Sequence, residues 1–158
     1  MKRQRQGFYW LLTLVVFLTL TSACGYVQQR EVRRGLEASM ARLPQQSSFE
    51  VVGSLYEEFS DRRCYYAGVY LVIGSPLEER AALDLYVREL QSLGWVLFER
   101  QFETEKGLTY DEHSWLTVDT GPPGPLLDSV VDYEQLKQTY RSILVVRVVF
   151  MVPSRDEC

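Results

Sequence analysis

Histidine is almost missing from this chain of 158 residues: His113 is the single one. A metal site or an acid–base pair would have to recruit its other groups from elsewhere, and no His/Cys spacing offers them. No glycine-rich phosphate loop occurs either, since Gly121-Pro122-Pro123-Gly124 is rigid and lacks a lysine. There is no basic excess: the formal charge is −4, which makes nucleic acid a poor partner. Outside the Arg30, Arg33 and Arg34 cluster no basic patch with interleaved aromatics appears. Internal repeats are absent. No cofactor and no metal are expected.

Long apolar runs are also lacking. The apolar stretch Phe8–Leu20 falls short of the ~20 residues that span a bilayer comfortably. What precedes and follows it gives it a different meaning. Lys2, Arg3 and Arg5 form a charged start, and Thr21-Ser22-Ala23 are small residues before Cys24. Charged, apolar, then small is the order of a secretory signal peptide. Leu20-Thr21-Ser22-Ala23-Cys24 resembles the lipobox of bacterial lipoproteins, with Thr21 where that family usually carries an aliphatic residue. The resemblance implies a cleaved leader and a palmitate-bearing Cys24 as first residue of the mature chain. A retained N-terminal helix is the alternative anchor, and simple secretion a third. In each case the positive residues stay cytoplasmic and everything after Cys24 is exported. The resemblance places the protein at the cell membrane on its extracytoplasmic side, or at an outer membrane where the envelope has one; Gly25 is not the aspartate associated with inner-membrane retention.

Cys24 aside, Cys64 and Cys158 remain in a compartment that permits disulfides. They pair in one intramolecular way, and closing so long a loop contributes about 4–5 kcal/mol less any strain. The rival reading is a reduced Cys64 with Cys158 in the tail.

Along the chain, Val32, Leu36, Met40 and Leu43 follow a helical stripe that ends at Pro44. It reads as a solvated stalk, with docking on the domain as the alternative. The expected division is thus 1–23 signal peptide, 24–48 lipidated cysteine and stalk, and 49–158 a single α+β domain. Phe49–Phe59 reads as a short strand or a loop lead-in. Tyr65 to Ile73 is apolar or aromatic on both parities, as in a strand inside a sheet. Ser75-Pro76-Leu77-Glu78 then carries helix-start residues. A helix follows with Leu83, Tyr86, Val87, Leu90 and Leu93 on one face, ending at Gly94. Trp95–Phe102 reads as a strand, Glu103–Glu112 as a polar turn, and Ser114–Asp119 as a half-buried strand. After Pro122-Pro123-Gly124-Pro125, Leu126–Tyr140 reads as one helix or two, and Ile143–Val152 as the last strand, with Arg147 facing away from its apolar side. The order from Cys64 is βαββαβ, the ferredoxin-like arrangement with helices on one face. In it the first and last strands are antiparallel neighbours, which brings Cys64 towards Cys158. Tyr86, Leu90, Gly94 and Trp95 also resemble the Tyr-x3-Leu-x3-Gly-Trp segment of small bacterial lipoproteins, a likeness that implies no activity.

Candidate chemistry is sparse. Val118-Asp119-Thr120-Gly121 resembles the Asp-Thr-Gly motif of aspartic proteases, but only one copy is present and Pro122 follows. A hydrolase would have to use Asp119 and His113, with Asp111 beside them. Glu57, Glu58 and Asp61 with Arg62 and Arg63 read as a solvated turn, or as a weak cation site. Tyr65, Tyr110, Trp115 and Tyr133 are the aromatics available for a ligand or glycan surface. The leading expectation is a non-catalytic envelope accessory that binds an envelope protein by a strand edge or the stalk helix. A small-ligand or glycan binder is second, and a hydrolase third.

Overall fold

The computed structural model describes residues 27–60, 64–101 and 105–153. The expected leader with Cys24, the Asp61–Arg63 stretch expected to be a turn, and Cys158 lie outside the described residues. Helix α1 covers 27–40. Strands β1 (Glu50–Ser60) and β2 (Cys64–Ser75) lead to helix α2 (Glu79–Ser92). Then come β3 (Val96–Gln101), β4 (Glu105–Thr109), β5 (Ser114–Thr120), α3 (Tyr133–Thr139) and β6 (Ser142–Pro153). The strands form one antiparallel sheet of six, ordered β1-β2-β6-β5-β4-β3.

The class is α+β as expected, but the sheet order is not ferredoxin-like. That arrangement puts the first strand between the last and the third. Here β6 takes the centre, pairing with β2 on one side and β5 on the other. The expected pairing of β2 with β6 is present, with Cys64 opposite Pro153. Composition explains why β6 is central. Ile143, Leu144, Val146, Val148 and Val149 are all buried, so both of its faces need cover.

The strand alternative for Phe49–Phe59 holds, whereas one strand, β4, escaped the sequence pattern. β1 is an 11-residue edge strand whose register slips between Val51 and Gly53, which breaks its alternation. β4, within the stretch expected to be a turn, buries only Leu108 and is held by neighbours on both edges.

Nor do the helices share one face. Ala67, Leu71 and Ile73 of β2, Leu116 and Val118 of β5, and Leu144, Val146 and Val148 of β6 line the first face. Onto it pack Val32 and Leu36 of α1 and Ala82, Leu83, Tyr86, Val87 and Leu90 of α2. α3 and the segment before it cover the opposite face instead, where Leu127 meets Val72 and Ile143 with Val131, Tyr133 and Leu136 around them. Residues 122–131 are mostly turns, so the expected 126–140 helix is shortened to 133–139. Asp132 caps it by accepting from the Gln135 N–H at 3.1 Å.

α1 is no free stalk. The Phe150 ring lies where a side chain on Gly35 would be. Ser39 Oγ donates to the Gly35 carbonyl and meets Ser114 Oγ of β5 at 3.1 Å. Trp95 Nε1 donates to the Arg42 carbonyl. The docked alternative holds because the narrow stripe has small residues beside it, which let the helix approach the sheet closely.

α2 starts later than its sequence signals suggest. Ser75 ends β2 and its Oγ accepts from the Leu77 N–H, so Glu78 takes the cap position without a side-chain bond. Its other end is as expected: Gly94 has φ +97° and turns the chain so that Trp95 is buried beneath α2. The Tyr86, Leu90, Gly94, Trp95 segment is therefore a packing corner, three buried side chains and the glycine that aims the last of them inward.

Candidate binding cleft

β1 is the outer strand on its side of the sheet, so half of its backbone N–H and C=O groups have no strand beside them. α1 crosses the first face next to this edge. Between helix and strand lies an open cleft of about 640 Å³ lined by Arg33, Leu36, Glu37, Met40, Tyr56 and Val69. Its floor is apolar and its rim carries one charge of each sign. A second hollow of about 420 Å³, lined by Gln29, Glu58, Phe59, Ser60 and Tyr65, continues along the same helix and strand.

A polar clasp separates the two. Arg33 Nη2 donates to Glu58 Oε2 at 3.0 Å, and the Tyr56 hydroxyl donates to the same oxygen at 3.0 Å. Burial pushes the Glu58 carboxyl upward, but hydrogen bonds from Arg33, Gln29 and Tyr56 outweigh it and hold the group below the usual carboxylate range. The Tyr56 phenol is raised by burial and by its bond to that carboxylate. The clasp can yield to a ligand, because its ion pair is exposed on the Arg33 side and exposed pairs contribute little.

The aromatic residues nominated from sequence do not converge. Tyr65 lies in the second hollow on the first face. Tyr110 packs edge-on against Trp95, with the Arg42 guanidinium 3.9 Å from its ring centre. Trp115 is on the opposite face, and Tyr133 is tied into the α3 core there. A hollow beside α3, of about 480 Å³, is lined by residues 128–134, with Asp128, Asp132 and Glu134 on it and one aromatic, Tyr133.

The hydrolase candidates are kept apart by β5. Asp111 and His113 precede its first residue and Asp119 sits near its last, about 17 Å along an extended strand. Asp111 is occupied in shaping the turn, its Oδ1 accepting from the His113 and Ser114 N–H groups at 2.9 and 2.7 Å. Burial pushes Asp119 above the ordinary range, and Glu79 nearby adds to this against a hydrogen bond from the Thr120 N–H. Among the described residues no three His, Cys, Asp or Glu side chains gather where a metal ion could sit.

Arg147, outside the cleft, has a setting that the sequence pattern does not convey. It stands in the middle of β6 on the second face, with its guanidinium 5.1 Å from the Tyr70 ring and 5.5 Å from the Trp115 ring. Glu57 of β1, exposed like Arg147 to less than a third, accepts from it at 2.7 Å. The only signal was a lone charge in a β-branched run; its partners are 32 and 77 residues away or more in sequence, and register alone brings them together.

Comparison with models of known protein families finds no match, and comparisons with curated proteins and with solved structures likewise find none. The functional reading therefore rests on the geometry.

Proposed function

We propose that this protein is a membrane-anchored, extracytoplasmic interaction module that takes up an extended segment of an envelope protein along β1. The reading includes lipid attachment at Cys24, with a retained N-terminal helix as the other form of anchor, and a disulfide between Cys64 and Cys158. The observation that carries the binding role is the long open edge of β1 beside a cleft with an apolar floor. A strand added there would satisfy the outer backbone groups of β1, and every second side chain would enter the cleft over Leu36, Met40 and Val69. Main-chain bonds would supply affinity, and Arg33 and Glu37 at the rim would select charge on the incoming segment.

Photo-crosslinkers placed one at a time from Val51 to Phe59 in the full-length chain test this in native membranes. Adducts to one protein partner that rise and fall every second residue support strand addition. Control crosslinkers at Trp115 and Tyr66 on the second face complete the set: adducts confined to those two positions, with Val51 to Phe59 silent, refute it. Fatty-acid labelling that is lost in Cys24→Ser tests the anchor separately.

A further inference from the structure

Given that anchoring, which this inference takes as its premise, we infer that the domain rests on the phospholipid headgroups with the α1–hairpin end down, through Val27, Arg30, Arg34 and Phe59. The tether leaves little choice. Only Gly25 and Tyr26 separate Cys24 from Val27, the first described residue of α1. Fully extended, that chain spans about 10 Å, whereas β2 with its 12 residues is about 40 Å long. The limit is the same whether Cys24 is lipidated or Ala23 ends a retained helix.

The start of α1 lies at one end of that length, since Gln29 shares a hollow with Phe59, Ser60 and Tyr65 at the β1–β2 turn. Val27 and Phe59 are 48% and 45% exposed there, large apolar groups left in water. On the outward side of α1, Val27, Arg30 and Arg34 fall on one stripe, opposite buried Val32 and Leu36. Apolar groups with arginines beside them suit the boundary between acyl chains and phosphates. The hollow by α3 at the far end is lined by Asp128, Asp132 and Glu134, with Lys137 paired to Glu134 beside it. A chain that is acidic as a whole would be repelled if it lay flat, so the short tether and the Arg30–Arg34 stripe set which end approaches. β1 then rises from the membrane with its open edge facing sideways, towards other envelope proteins.

The test uses the full-length protein in native membranes, with a benzophenone amino acid at Val27, Phe59, Leu126 or Val51. All four positions are exposed, so the fold tolerates the change. Phospholipid adducts at Val27 and Phe59, and their loss at Leu126 and Val51, are expected. In Arg30→Glu with Arg34→Glu, the Phe59 lipid adduct should weaken while membrane association persists. Membrane-bound protein with lipid adducts at Leu126, or with only protein adducts at Phe59, overturns the orientation and leaves the anchor standing. Protein found in the soluble fraction without a modified Cys24 overturns the anchor and the orientation together.

Discussion

The two faces of the sheet are finished differently. On the first, α1 and α2 cover a continuous apolar layer from β2 to β4. On the second, α3 and the 122–131 segment cover only the part around Val72 and Ile143. Beyond them the second face is closed by its own side chains: Arg147 between Tyr70 and Trp115, and Phe59 stacked on Tyr66 with ring centres 4.7 Å apart. One face is thus stabilised by burial, which has no direction, and the other by a charged group held in place by rings and a carboxylate. Losses in the apolar layer of the first face should be large and tolerant of pH, unlike those in the charged clasp at its rim. Losses on the second should depend on whether the partner charge is also removed.

The largest test of this contrast is Trp95→Ala. It empties the corner beneath α2 and leaves the Arg42 carbonyl without its donor, so urea unfolding should show a loss of about 3–5 kcal/mol. Gly35→Ala comes next. Its methyl would collide with the Phe150 ring, and overpacking of about 1–3 kcal/mol is opposed by a gain of about 1 kcal/mol in helix propensity. Hydrogen exchange should then be faster in α1 than in α2, which would also separate the helix from the cleft it lines.

On the second face, Arg147→Ala strands Glu57 and should cost about 1–2 kcal/mol. Arg147→Met combined with Glu57→Gln should recover most of that, because no charge is then left unpaired. Equal losses in the single and double variants would show that this face is held by packing alone. The smallest effect is Glu58→Gln. Its folded carboxyl sits below the unfolded value, so its contacts add stability above the usual carboxylate range and lose it as pH falls through the folded value. The gap between wild type and Glu58→Gln in denaturant midpoint should therefore be present near neutrality and close as pH falls through the folded value, below the ordinary carboxylate range. A gap that widens on acidification would contradict this sign.

Parts of this arrangement were legible residue by residue. The strand from Cys64, the apolar face of α2 apart from Leu93, which lies past the helix end and is exposed, and the Gly94 turn into Trp95 follow from short-range patterning. The Val32–Leu43 stripe was visible too, but its docking was not, since a stripe says that a helix has an apolar side and not what covers it. Asp132 with Gln135 is a capping pair that could have marked the start of α3. The candidate cleft was half legible: a strand was one reading of Phe49–Phe59, but the cleft needs β1 and α1 together, and nothing local brings them side by side.

The sequence by itself determined which segments bury a face and where the chain turns, because those depend on side chains within a few residues of each other. The tertiary structure decided the sheet order, the split of helices between two faces, the separation of Asp119 from His113, and the ring-flanked setting of Arg147. Those are matters of strand register: element order anticipates β6 beside β2, but its pairing with β5 on the other side leaves no local mark.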